Sequence, residues 1–154
     1  MQSSDPIHET QVRVRYGEVD RMGVVYHPHY LVFFEKGRTE FLRSLGGTYR
    51  ELEESGTLLL VAETGVRHLG SARYDDLLTI RTRMTDLRRV RLRFDYEVAR
   101  GGEVLATGFT VLAAADVNGR LRRLPSAFRE QIESCLAVDG GKKRPVAGVE
   151  GRTT

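Results

Sequence analysis

The sequence has a single cysteine, Cys135, among its 154 residues, so the chain cannot form an intramolecular disulfide. It also lacks any apolar run close to the roughly 20 residues that a helix needs to cross a bilayer. The first ten residues, MQSSDPIHET, contain no apolar core of the kind found in a secretory signal peptide. Together these absences predict a cytoplasmic protein without a membrane span.

Lysine is scarce, because only Lys36, Lys142 and Lys143 accompany the arginines, and arginine is therefore the default surface cation. The segment beyond Ala137 contains four basic and two acidic residues, which leaves residues 1–136 with 20 basic and 19 acidic side chains. The aromatic residues are not interleaved with arginines as in RNA-binding signatures. The overall pI of 9.2 thus does not indicate a nucleic-acid-binding protein.

The segment 137–154 is rich in glycine and poor in apolar residues, so we expect a disordered tail. Residues 1–136 have the length of one domain. Within them, residues 8–16 alternate as a strand, and residues 30–45 carry apolar residues at helical spacing. Residues 48–55 predict a short second helix. Four long strands follow, at about 58–69, 77–87, 89–99 and 104–117, before a last helix from Ser126.

Tight turns separate the later strands, at Gly101-Gly102 and at Asn118-Gly119, and they imply antiparallel neighbours. The expected strands are longer than the long helix, so a twisted sheet can curl around that helix and cover its apolar face. The sequence therefore predicts an α+β domain with an antiparallel sheet wrapped around one long central helix. Its edge strands need covering, which favours a homodimer or a dimer-of-dimers tetramer.

The loop before the long helix combines an acidic residue with a helix start. Asp20 stands seven residues before His27, and Pro28 is favoured at a first helical position, which makes His27 the expected N-cap. Backbone N–H groups are unpaired at such a start, and the helix dipole is positive there. This arrangement can hold a carbonyl oxygen as it becomes an anion beside a base or nucleophile. No third histidine or cysteine accompanies His27 and His29 at ligand spacing, so no metal site is expected.

The same stretch resembles the 4-hydroxybenzoyl-CoA thioesterase-like branch of the hotdog-fold acyl-CoA thioesterases, and within it the bacterial Tol-Pal-associated (YbgC-type) enzymes. A weaker likeness, including YDDLLTIRTRM, extends over about residues 8–134. The residues that carry the resemblance are Tyr16, Glu18, Asp20, Gly23, Val24, Val25, Tyr26, His27, Tyr30, Leu31, Phe34, Glu35 and Arg38.

The resemblance implies that Asp20 is the catalytic carboxylate, acting as nucleophile on the thioester carbonyl or as base for water. It implies that the backbone N–H near His27 polarises the thioester oxygen, while the His27 side chain either contacts substrate, caps the helix or packs in an interface. Tyr16 and Tyr26 are expected as wall residues of a site between subunits. Glu35 is either a positioning residue or an ion-pair partner of Arg38.

The resemblance further implies that basic side chains meet the phosphates of coenzyme A, and Arg88 and Arg89 are the candidates, against the alternative that they are ordinary surface cations. The expected substrate is an acyl-CoA, with acyl carrier protein thioesters as a second class. No cofactor is implied. Two alternatives remain open. One is a hotdog enoyl-CoA hydratase, which pairs an Asp with a His five residues later, unlike Asp20 and His27. The other is a non-catalytic acyl-binding module.

Overall fold

A computed structural model describes residues 7–46 and 48–138. The predicted tail, residues 137–154, lies outside the described residues from position 139 onward. The strands are β1 (His8–Arg13), β2 (Leu58–His68), β3 (Leu77–Leu87), β4 (Arg91–Arg100) and β5 (Glu103–Ala115); the helices are α1 (His29–Arg43), α2 (Thr48–Glu54) and α3 (Ser126–Val138). A short 3₁₀ turn, Tyr16–Glu18, follows β1.

The five strands form one antiparallel sheet in the order β1-β3-β4-β5-β2. The α1 helix packs on this sheet, mainly against β1 and β3 and also against β4 and β5. An antiparallel sheet around one long helix is the arrangement that the sequence predicted, and the hotdog fold is confirmed. None of the helices in the described part of the chain is long and apolar enough to span a membrane.

Hydrophobic periodicity located the core correctly on both layers. On α1 the buried side includes Tyr30, Phe34 and Phe41, and on β4 the buried side includes Phe94 and Tyr96. Phe34 and Tyr96 stack in parallel with ring centroids 4.4 Å apart, which joins the helix to the middle of the sheet.

Gly37 allows α1 to approach the sheet closely. A methyl group at this position would meet the side chains of Thr82 and Ile80 on β3, at a spacing that real side chains do not reach. Leu31, another apolar residue of this helix, is exposed.

Two of the element boundaries that differ from the predictions flank the loop that contains Asp20. The first strand ends at Arg13 and not at Tyr16, because the chain turns into the 3₁₀ turn, where the Glu18 side chain accepts a hydrogen bond from the Arg15 N–H. The long helix begins at His29 with Pro28 as its N-cap, one residue later than expected. Pro28 nevertheless has helical dihedral angles (φ −65°, ψ −19°), so the chain already follows the helical path there.

Candidate active site

Two irregular segments meet at one end of the sheet. Because β1 and β2 both leave the sheet at this end, the loop after β1 and the segment after β2 lie side by side. The Val25 N–H donates to the Ala72 carbonyl oxygen over 2.8 Å, and Val24 forms a bridge with Arg73. The segment after β2 therefore supports the loop that contains Asp20.

Asp20 begins a tight turn that Gly23 closes. The Gly23 N–H donates to the Asp20 carbonyl oxygen at 3.0 Å, and Gly23 has a φ of +78°, a conformation that glycine adopts without a steric penalty. The Asp20 side chain is half-buried, and its Oδ1 accepts hydrogen bonds from the N–H groups of Met22 (2.8 Å) and Val24 (3.4 Å). Among the described residues, no group hydrogen-bonds to Oδ2. One carboxylate oxygen is therefore held by the turn while the other is available to a ligand.

The start of α1 follows directly on this turn. The N–H groups of His29 and Tyr30 donate to the carbonyl oxygens of Tyr26 (2.9 Å) and His27 (3.3 Å), so the first turn is partly satisfied. Within residues 7–46 and 48–138, the His27 N–H has no acceptor. It is a backbone donor at the positive end of a 15-residue helix, and a donor in such a position can stabilise a developing oxyanion.

A cluster of aromatic rings lies beside the helix start. His27 is edge-on to Tyr26 with centroids 5.1 Å apart and edge-on to His68 at 6.4 Å, and His68 is edge-on to Tyr30 at 5.0 Å. Burial raises the pKa of the Tyr30 hydroxyl, although the nearby Ala72 backbone and Arg100 oppose the shift. Tyr30 thus stays neutral and supplies packing and a hydroxyl group to this region.

Glu18 is a functional candidate to which the sequence analysis assigned no role. Its side chain is 6% exposed, and its Oε2 lies 4.0 Å from Nε2 of His29. The ring of His29, in the first turn of α1, is half-buried against Phe33 and the Glu18 carboxylate. Alternation does not indicate this burial, because Tyr16, which has the same phase as Val12, Val14 and Glu18, is 80% exposed.

The predicted wall residues lie at the same end of the molecule as Asp20. Tyr16 is 80% exposed and meets Tyr74 edge-on, with centroids 5.9 Å apart, and Tyr26 is 50% exposed.

Glu35 is exposed on α1, and no ion pair joins it to Arg38 among the described residues. Both lie within electrostatic range of Tyr49, whose pKa is raised by burial and by Glu53.

Arg88 and Arg89 lie elsewhere. They form the turn between β3 and β4, at the opposite end of the sheet from Asp20, because β3 starts beside the end of β1 and runs for 11 residues, or about 36 Å. Arg88 pairs with Asp86 at 2.8 Å. The structure therefore does not bring these two arginines together with Asp20 inside one subunit.

The described residues contain no group of three or more His, Cys, Asp or Glu side chains that could hold a metal ion. Asp76, in the segment after β2 that supports the loop, belongs to a structural ion pair. Asp76 accepts hydrogen bonds from the Arg73 N–H (2.8 Å) and from Arg100 (2.8 Å). Desolvation works against ionisation of Asp76, but these two partners together lower its pKa.

Comparison with known proteins places most of the chain in one family. Residues 14–132 match the family described as the thioesterase-like superfamily. The chain is 34% identical over 126 residues to a protein of Haemophilus influenzae named acyl-CoA thioesterase YbgC, covering 81% of this chain and 90% of that protein.

Two crystal structures show the same fold. A probable thioesterase from Bartonella henselae is 35% identical and superimposes with a TM-score of 0.70, covering 77% of this chain and 98% of that one. A DHNA-CoA thioesterase from Staphylococcus aureus is 28% identical with a TM-score of 0.80, covering 86% of this chain and 92% of that one. Fold and sequence thus agree over the region that contains Asp20 and α1.

Proposed function

The chain belongs to the thioesterase-like superfamily, and on that premise we propose that it hydrolyses acyl-CoA thioesters with Asp20 as the catalytic carboxylate. Family membership makes the protein a thioester hydrolase and confirms the resemblance found in residues 16–38. Acyl-CoA is the substrate named for the Haemophilus influenzae relative. Acyl carrier protein thioesters are a second candidate class, because their phosphopantetheine arm presents the same thioester.

One observation carries the assignment of Asp20. Its Oδ1 is fixed by two backbone N–H groups, and its Oδ2 has no partner among the described residues. A carboxylate held in this way has a set position and keeps one oxygen for a reacting group. It can act by either of two routes.

In the first route, Asp20 takes a proton from water as its oxygen attacks the carbonyl carbon, and the carbon–sulfur bond then breaks as the sulfur receives that proton from Asp20 and leaves as the thiol. In the second, Asp20 attacks the carbonyl carbon itself and expels the thiolate, and water then hydrolyses the resulting mixed anhydride. Both routes give a free acid and CoA, and both place negative charge on the thioester oxygen.

The start of α1 supplies the donor for that oxygen. The His27 N–H has no acceptor within the described residues, and the dipole of α1 adds positive potential at the same point. A donor of this kind contributes about 3 kcal/mol to transition-state stabilisation in other acyl-transfer enzymes. The His27 side chain, exposed and edge-on to His68, is a second group that can meet substrate.

A second subunit is expected to complete the site. The edge strand β2 exposes Leu58, Leu60 and Val61 together with its unpaired backbone groups, and such an edge favours pairing with another copy. We therefore assign the protein to a homodimer or a dimer of dimers. Tyr16 and Tyr26 then form walls of a pocket between subunits, and Glu35 positions substrate or partner groups.

The phosphates of CoA require cations on the path to the site. Because Arg88 and Arg89 lie at the far end of the sheet from Asp20, they can contact CoA bound at Asp20 only from a second subunit. We propose this role for them.

We further propose that residues 1–136 form one hotdog domain and that the protein acts in the cytoplasm. The single Cys135 would stay reduced in that compartment.

A panel of acyl-CoAs with a thiol-trapping dye tests the function. We expect thiol release that depends on acyl chain identity, without loss of enoyl absorbance. A hydratase would instead remove enoyl absorbance and release no thiol, and the position five residues after Asp20 is the buried aliphatic Val25, which cannot assist that reaction. Saturable binding without thiol release would identify a non-catalytic module and overturn the proposal.

A further inference from the structure

Among the residues whose burial the structure describes, Glu18 is the only buried side chain that carries a charge. The three residues before it are exposed: Tyr16 at 80%, with Arg15 and Gly17 also on the surface. Removing a carboxylate from water is unfavourable unless hydrogen bonds and charges compensate for it. A residue kept in such a position, two residues before Asp20, calls for a reason beyond stability.

The two carboxylate oxygens of Glu18 face different elements. Oε1 accepts a hydrogen bond from the Arg15 N–H at 2.7 Å, which closes the 3₁₀ turn after β1. Oε2 faces Nε2 of His29 at 4.0 Å, in the first turn of α1. This distance exceeds a hydrogen bond, so the contact is an ion pair when His29 is protonated and a polar contact when it is neutral.

The Glu18 backbone closes the catalytic loop as well. Its carbonyl oxygen accepts a hydrogen bond at 2.9 Å from the N–H of Tyr26, the residue before His27. The turn that contains Asp20 is therefore flanked by two residues, Glu18 and Tyr26, whose backbones are hydrogen-bonded to each other. In the described part of the chain, Glu18–His29 is the one ion pair that joins this loop to α1.

These contacts connect the two halves of the proposed site. Asp20 belongs to the loop, whereas the donor for the thioester oxygen belongs to the start of α1. A reacting carbonyl must meet both at once, and a displacement of about 1 Å between such groups can reduce the rate by a factor of about 100. We propose that Glu18 is a positioning residue that acts through His29 to hold the Asp20 loop in register with the start of α1.

The inference rests on the proposed function, and the main test is kinetic. Glu18→Gln keeps an acceptor for the Arg15 N–H and removes the charge that faces His29. We expect kcat for thiol release to fall about tenfold, with KM changed less than twofold, because substrate contacts are kept and only the alignment is lost. Glu18→Asp, which restores the charge on a shorter arm, should recover part of kcat.

A double-mutant cycle separates this role from a general loss of stability. If Glu18 acts through His29, the two substitutions remove the same interaction. The variant with both Glu18→Gln and His29→Gln should then have a kcat no lower than that of the single variant with the lower kcat. Arg15→Ala is the matched control, because it removes the exposed guanidinium 3.6 Å from Oε1 but keeps the backbone N–H; its kcat should equal that of the wild type. Additive losses in the cycle, or unchanged kcat in Glu18→Gln, would overturn the proposal.

Amide hydrogen exchange across residues 18–29 gives a readout that does not depend on activity. We expect faster exchange at Tyr26 and at the start of α1 in Glu18→Gln, with the sheet unchanged. If the wild-type protein released no thiol from any acyl-CoA, the proposed function would fail, and this exchange measurement would still decide whether Glu18 holds the loop. Equal exchange in the two proteins would overturn the positioning role.

Discussion

The imidazole of His68, the last residue of β2, lies edge-on to that of His27 with ring centroids 6.4 Å apart. It is also edge-on to Tyr30 at 5.0 Å. The end of an edge strand thereby supports the residue whose backbone N–H is the proposed donor for the thioester oxygen. The contact joins the sheet to the helix start.

A substitution of His68 tests whether this ring acts by packing. Edge-to-face ring contacts contribute about 1 kcal/mol, so we expect His68→Ala to lower kcat/KM about fivefold. His68→Phe keeps a ring in the same place and should remain within about twofold of the wild type. Steady-state kinetics on one acyl-CoA measures both. If His68→Phe were as impaired as His68→Ala, the imidazole nitrogens themselves would be required.

The close approach of α1 to β3 at Gly37 predicts that a larger side chain there destabilises the fold. Gly37→Ala places a methyl group against Thr82 and Ile80, so α1 must move away from β3, and we expect a loss of about 1–3 kcal/mol in the free energy of unfolding. Urea denaturation measures this loss. Lys36→Ala, at the neighbouring exposed position of the same helix, is the control and should change stability by less than about 0.5 kcal/mol. Equal stability of Gly37→Ala and the wild type would show that the helix does not need this close approach.

The contribution of Asp76 to the stability of the fold is expected to depend on pH. Its pKa is lowered in the folded protein, so its ionised form stabilises the fold above the unfolded pKa of about 3.9, and that stabilisation disappears as the pH falls through the folded value. Asp76→Asn should therefore be less stable than the wild type at pH 7, with the difference shrinking below about pH 4. Unfolding measured across this pH range gives the difference directly.

The neighbouring Asp75 serves as the control for that experiment. Asp75 is exposed, lies 4.0 Å from Arg13, and has a φ of +69°, which asparagine also tolerates. Asp75→Asn should have little effect at any pH, because exposed pairs contribute little. A pH-independent loss in Asp76→Asn would assign the effect to geometry and not to charge.

The arginine turn between β3 and β4 tests the role of the second subunit. If Arg88 and Arg89 meet CoA phosphates from another subunit, the variant with alanine at both positions should raise KM about tenfold and leave kcat unchanged. Arg91→Ala, in the adjacent exposed position, should leave both constants unchanged. An unaltered KM in the double variant would make Arg88 and Arg89 ordinary surface cations.

Features with a local period could be predicted from the sequence. The buried faces of α1 and β4 follow from side-chain spacing of 3.6 and 2 residues, and the turn at Gly101 has a positive φ, as its composition indicates. The predicted start of α1 was one residue too early, because Pro28 adopts helical dihedral angles but contributes no N–H. Such a boundary depends on hydrogen bonds that spacing does not reveal.

Features that depend on sheet order could not be predicted. His68 reaches His27 only because β2 pairs with β5 at the edge of the sheet, and Arg88 is separated from Asp20 only because β3 runs antiparallel to β1. Neither pairing leaves a trace in the local spacing of residues. The burial of Glu18 likewise depends on the first turn of α1, which brings His29 against it.

The central claim is that the Asp20 carboxylate performs the chemistry, and single-turnover thiol release by Asp20→Asn tests it most directly. Asparagine can keep the hydrogen bonds from the N–H groups of Met22 and Val24 but cannot act as a base or form the anhydride. We predict a rate at least about 1,000-fold below the wild type, with unchanged affinity for acyl-CoA and an unchanged oligomeric state. Thiol release at the wild-type rate would contradict the assignment.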